Sequence, residues 1–171
     1  VVKMKRVKLI NDPAELVALF RAVDSVNRRE VLTTLAEGWT MISDLVAKHG
    51  EETYGAITYF EKFKLVESRW EVNSETGRPE KGYRTFYNAF QVSTSLTFDE
   101  TQELLTVVLM TEKKFKSLES KIVELIGSEG TFANDVARDL GVTSLTLKGL
   151  VRRSVEFDFK GHNIVPLKGE E

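Results

Sequence analysis

The spacing of apolar residues divides the chain into a helical first third, a short alternating middle and a longer helical remainder. After the basic lead VKMKRVK, Asp12 and Pro13 mark a helix start: a side-chain oxygen for early N–H groups, then a proline where a missing N–H does no harm. Leu16, Val17, Leu19, Phe20 and Val23 follow at helical spacing. A second helix is predicted after Ser25 or Asn27, with Val31, Leu32 and Leu35 on one face and its end at Gly38. MISDLVAKHG reads as a third, short helix closed by Gly50, and EETYGAITYFEKFKL as a fourth carrying Ile57, Tyr59, Phe60 and Phe63.

The period then drops to two. In LVESRWEV (65–72), Val66, Ser68, Trp70 and Val72 share one face and Glu67, Arg69 and Glu71 the other, as in a half-solvated strand. YRTFYNAF is predicted as the return strand. The loop between them holds Gly77, Pro79 and Gly82, and is too long for a two-residue hairpin. Helix, helix, short helix, helix, strand, loop and strand is the order of a winged helix, with this loop as the wing.

Residues 93–96 read as a joint, and Thr97 followed by Glu100 has the spacing of a capping box. From there one helix is predicted to run to Gly127. Leu104, Val108, Thr111, Phe115, Leu118, Ile122 and Leu125 alternate spacings of four and three along it. That stripe fits either a coiled-coil seam joining two copies, with Lys114 and Glu119 flanking it, or an amphipathic helix packed inside one chain. The remainder again gives helix, turn, helix, strand, turn, strand, with KGH between VEFDF and NIVPL. The expected fold is therefore mainly α with small β-hairpins, an α+β arrangement of tandem winged helix-turn-helix units joined by a long helix. Its predicted divisions are 1–92, 93–127 and 128–171.

Composition narrows the function classes. The chain has 171 residues, 42% of them hydrophobic, which suits one ordinary domain or two small ones with folded cores. Without cysteine there are no disulfides or thiolate metal sites, and two histidines leave few ligands for another metal centre. No metal or other cofactor is expected. No apolar run reaches the length of a membrane helix, and the N-terminal stretch lacks a signal-peptide core, so a cytoplasmic protein without membrane association is expected. The net charge of -2 argues against indiscriminate coating of nucleic acid, so any nucleic-acid contact depends on where the basic residues sit.

ANDVARDLGVTSLTLKGL holds the most specific local signal. Ala137, Gly141 and Leu147 supply the small residue, left-handed turn and apolar anchor that a helix-turn-helix needs. The second helix of this pair presents Thr143, Ser144, Thr146, Lys148, Arg152 and Arg153, with no acidic residue from Gly141 to Ser154. Hydroxyls and cations near a helix start suit phosphate and base-edge contacts. The competing reading is a helical corner used only for packing. In the first unit Thr53, Tyr54, Thr58 and Lys62 are placed to face a groove, although Glu51 and Glu52 stand where phosphates would lie. The wing contributes Arg78, Lys81 and Arg84, and Lys3, Lys5, Arg6 and Lys8 form a possible basic arm. Tyr83, Phe86, Tyr87 and Phe90 are expected in the core. With neither a phosphate-binding glycine loop nor a nucleophile-base set, catalysis is not expected.

The stretches DPAELVALFRAVDSVNRREVLTTLAEGWTMISDL and ITYFEKFKLVESRWEVNSETGRPEKGYRTFY resemble the ArsR-like winged-helix transcriptional regulators over residues 12–90. The resemblance implies that the helix before the first hairpin strand reads a major groove, that the wing touches backbone, and that the protein is a homodimer. Carried over, the groove-reading role falls on Thr53, Tyr54 and Thr58, and the wing role on Arg78, Lys81 and Arg84. Metal sensing is not implied, because the third helix holds no cysteine. The C-terminal half resembles the multi-winged-helix regulators of archaea. The leading expectation is a non-enzymatic, sequence-specific regulator that binds double-stranded DNA as a dimer. The alternative is a tandem winged-helix adaptor that docks protein instead.

Overall fold

The computed structural model describes residues 6–167. In chain order the elements are β1 (Val7–Ile10), α1 (Glu15–Ala22), α2 (Val26–Glu37), β2 (Thr40–Met41), α3 (Ile42–His49), α4 (Glu52–Lys62), β3 (Val66–Val72), β4 (Pro79–Thr85) and β5 (Ala89–Val92). There follow α5 (Phe98–Leu109), α6 (Glu112–Ile126), β6 (Thr131–Phe132), α7 (Ala133–Leu140), α8 (Ser144–Arg153), β7 (Phe157–Lys160) and β8 (Asn163–Pro166). This is the expected α+β class with small sheets.

Two compact units emerge, and their boundary is not the predicted one. Unit 1 takes residues up to Ile10 and Ala22–Ser93; unit 2 takes Asn11–Arg21 and everything from Thr94. The first helix thus leaves the predicted 1–92 domain. The reason lies in its apolar face: Val17 is fully buried in the core of unit 2, and Arg21 lies 3.6 Å from Glu112.

In unit 1, α2 packs on α3 and α4, and α3 and α4 lean on the sheet β2-β4-β3. Val31, Leu35, Leu45, Ile57, Tyr59 and Phe60 are buried there. The predicted N-cap at Ser25 is present, its hydroxyl accepting from Arg28 N at 3.2 Å. The return strand starts earlier than expected. Glu80 and Lys81 already pair with Glu71 and Trp70, and Val72 with Pro79, which leaves only residues 73–78 as the loop. After Thr85 the chain turns, and β5 pairs in parallel with β1. Of the aromatics expected in the core, Tyr83 is buried, whereas Phe86 and Phe90 are exposed.

Unit 2 corrects the long-helix expectation. The predicted 97–127 helix is two helices, broken where Met110 and Thr111 both adopt extended backbone and the Thr111 hydroxyl caps α6 through Lys114 N. The coiled-coil stripe therefore has no straight axis to run along. Leu104, Phe115 and Ile122 are buried, and Val108 and Leu118 partly buried, in this unit's own core with α7, α8 and the sheet β6-β8-β7. The packing alternative is the one the structure adopts. Helix α8 packs against α5 at Gly149, where an added Cβ would lie 3.4 Å from the Val107 methyls.

The order helix, strand, helix, helix, strand, strand occurs twice, as α2 to β4 and as α6 to β8, and both sheets have their first strand beside their third. In the second sheet Gly130 is demanding: its φ is +84°, and a Cβ there would meet the Ile164 carbonyl oxygen at 2.7 Å. We expect Gly130→Ala to lower stability by about 2–3 kcal/mol through combined backbone strain and overlap. Urea unfolding of the full chain measures it; an unchanged midpoint would refute this packing.

Candidate nucleic-acid interface

Helix α4 shows one open face in unit 1. Tyr54 is 51% exposed and Thr58 is exposed one turn on, its hydroxyl donating to Tyr54 O at 3.0 Å. Glu51, Glu52 and Glu61 surround this face and Lys62 is half-buried at its end. Thr53 is not part of it. Its side chain is fully buried and turned into the unit, because the residue sits on the same helical face as Ala56, Ile57 and Phe60. The predicted groove contact by Thr53 is thereby corrected.

The wing is built around Asn73. Its side-chain oxygen accepts from Glu75 N at 2.9 Å and Thr76 N at 3.2 Å, and its backbone exchanges bonds with Gly77 and Arg78. Glu80 clamps this turn to the helices: its carboxylate accepts from Asn73 Nδ2 at 2.7 Å and from Ser43 N at 2.5 Å. Glu80 is not among the residues singled out from the sequence. The bond from Asn73, then that from Ser43, hold its carboxyl below the ordinary glutamate range.

Arg78 projects from the end of this turn, exposed. Lys81 is half-buried, with its ammonium 5.5 Å from the centre of the Trp70 ring, and Trp70 itself is 68% exposed. Arg84 lies elsewhere. It binds Glu67 and stacks over Trp39 at 4.7 Å, with Arg69 over the same ring at 4.1 Å. Arg84 therefore braces the sheet and is withdrawn from the predicted wing contacts. Arg6 and Lys8 are not a free arm either: Lys8 donates to Phe63 O at 3.0 Å and Arg6 lies 3.7 Å from Glu67. Lys3 and Lys5 lie outside the described residues.

The basic helix of unit 2 is largely spoken for. Glu103 of α5 reaches its first turn and accepts from the hydroxyls of Thr143 at 2.5 Å and Thr146 at 3.0 Å. A carboxylate thus occupies the place where a phosphate was expected, and it offsets the partial positive charge of the helix start. Arg153 is buried: Nη1 donates to Val107 O and Met110 O, both at 2.8 Å, Nη2 to Glu112 at 3.0 Å, and the guanidinium lies over Phe115. It satisfies the carbonyls that the end of α5 leaves without partners. Arg152 faces Asp12 at 4.0 Å and Asp158 at 3.8 Å. Of the six predicted contacts on this helix, Ser144 and Lys148 remain exposed and make no side-chain bond among the described residues. The uninterrupted basic run concealed these partners because Glu103, Glu112 and Asp12 are remote in sequence and Asp158 lies beyond the helix, on the strand that follows.

A short recognition-type helix with an outward Tyr54–Thr58 face, set beside a hairpin whose clamped turn carries Arg78, defines a winged helix-turn-helix protein. A protein-family model described as the ArsR transcriptional regulator matches residues 10–168, and the chain belongs to that family. No curated protein matches it. The match runs through both units, further than the 12–90 of the resemblance seen in the sequence. Among the described residues no helix is long and apolar enough to cross a membrane.

Two outcomes follow from this geometry. Arg153→Ala is expected to destabilise the chain by about 2–4 kcal/mol, since two carbonyls and a carboxylate lose their donor together, and Arg153→Lys does not restore the fork. Thermal unfolding tests this, and an unaltered transition would contradict it. The lowered folded-state pKa of Glu80 means its contribution is complete above the ordinary glutamate value and disappears as pH falls through the lowered one. Amide exchange at Ser43, Glu75 and Thr76 should therefore accelerate in Glu80→Gln at neutral pH, and in the wild type only once the pH falls below the ordinary glutamate range. Equal protection in both proteins at neutral pH would refute the clamp.

Proposed function

We propose that this member of the regulator family is a non-enzymatic, sequence-specific DNA-binding protein that uses unit 1 as its reader and acts as a dimer. The observation that carries the reading is the pairing, within one unit, of the open Tyr54–Thr58 face of α4 with a wing turn held rigid by Asn73 and Glu80. A preorganised turn loses little entropy when Arg78 meets a phosphate, and Lys81 adds a second cation on the same hairpin. Tyr54 and Thr58 face a groove, and Glu51, Glu52 and Glu61 disfavour misplaced phosphates around them.

The dimer face is assigned to α5, not to the 97–127 stripe. Phe98 is 95% exposed, Leu105 46% and Leu109 76%, and with Gln102 they line one groove of 670 Å³. Such apolar surface on an exposed helix points to a partner. We take a second copy of the same apolar face as that partner.

An adaptor that docks protein is the second reading, and the acidic ring around α4 is the observation that favours it. Duplex titration separates the two. Fluorescence anisotropy with a mixed duplex pool, from about 50 to 200 mM salt, should show binding that weakens with salt. Arg78→Ala with Lys81→Ala should flatten the log–log salt slope by about 2 per bound protomer, whereas Tyr54→Ala should change which sequences are retained. Lack of binding at the lowest salt would leave the adaptor. Leu105→Glu should turn a dimer into a monomer by light scattering, and a persistent dimer would remove α5 as its interface.

A further inference from the structure

The β3–β4 hairpin of unit 1 has two unlike faces. On one, Glu67 pairs with Arg84 and Glu71 with Arg69, so its charges answer one another. Residues directly opposite in an antiparallel pair share a face, and the register sets Ser68 against Tyr83, Trp70 against Lys81 and Val72 against Pro79 on the other. Tyr83 is buried, so this second face is covered where it starts. Further out it is bare: Trp70 is 68% exposed, Val72 70%, and Pro79 is exposed beside them. A half-solvated antiparallel sheet ordinarily turns polar side chains to water, and the outer end of this hairpin turns apolar ones.

Its surroundings favour nucleic acid as the occupant. The Lys81 ammonium lies 5.5 Å from the centre of the Trp70 ring and Arg78 projects from the adjoining turn, so cations rim the apolar surface. The nearest hairpin carboxylates are engaged: Glu80 by Asn73 and Ser43, Glu71 by Arg69. Glu61 stands across from them on α4. The surface is also continuous with the open face of α4, since Tyr54, Thr58, Trp70 and Lys81 line one cleft of 390 Å³. Phosphates satisfy Lys81 and Arg78 but gain nothing from Trp70 and Val72. A base step does gain, because apolar side chains that enter a groove between bases partly unstack them and kink the duplex.

We propose that Trp70, backed by Val72, is a wedge that enters a base step of the bound duplex, so that unit 1 selects sites by how readily that step opens as well as by the contacts of α4. Pyrimidine–purine steps open most easily and are the expected target. The inference rests on DNA binding by unit 1. Its test takes the duplex that the full chain retains at the highest salt and replaces the adenines one at a time by 2-aminopurine, whose fluorescence rises on unstacking. The wild type should raise the signal at a pyrimidine–purine step and draw dyes on the duplex ends together. Trp70→Ala should do neither and should weaken binding by about tenfold, the scale of one aromatic stacking contact. Trp70→Phe, which keeps a flat ring, should restore the signal. Failure to retain any duplex would remove the DNA reading and the wedge together. A retained duplex with no rise at any adenine, or with the same rise in Trp70→Ala, would overturn the wedge alone. Unchanged affinity in Trp70→Ala would also overturn it and give this face to a protein partner.

Discussion

The carboxylate of Glu103, held by the hydroxyls of Thr143 and Thr146, determines which surfaces of this chain stay open. With Arg153 closing the other end of α8 on the last carbonyls of α5, it fastens the two helices along their length. Gly149 allows the close approach between them. The consequence is an asymmetry between two units of like topology. The helix pair of unit 2 engages Thr143, Thr146, Arg152 and Arg153 within its own unit, and that of unit 1 leaves the Tyr54–Thr58 face of its second helix exposed. Because the same fastening breaks the predicted long helix at Met110, it also turns the opposite side of α5, with Phe98, Leu105 and Leu109, outward.

Unit 1 uses its charges differently. Glu80 spans the wing turn and the start of α3, and the turn owes its shape to Asn73. Arg84 and Arg69 both lie over the Trp39 ring, so hairpin basic residues divide between bracing and projecting. Arg78 projects. A cation held on a rigid turn is more useful for positioning on a phosphate backbone than one on a loose loop.

Much of the fold was legible because local signals set it. The Ser25 and Thr97 caps, the helix ends at Gly38, Gly50 and Gly141, and the strand at 66–72 each depend on signals within a few residues, and the structure has them where the sequence puts them, although Trp70 and Val72 of that strand are exposed. What failed depended on distant partners. The heptad-like stripe of 104–125 could not reveal that Thr111 caps a new helix, since its spacing is the same in a seam and in a folded-back pair. Arg153 and Arg152 look solvent-ready in sequence and are anchored by residues some forty positions away or more, or by Asp158 on the strand that follows. Thr53 was misplaced by one helical step, enough to turn it from groove to core. The capture of α1 by unit 2 likewise depended on a core that only tertiary packing creates.

The central claim is that DNA meets α4 and the wing of unit 1, and not α8. Hydrogen–deuterium exchange of the full chain, with and without a retained duplex, addresses it most directly. The account expects added protection over 51–62 and 73–81 and none over 142–153. Protection centred on 142–153, with 51–62 unchanged, would contradict it.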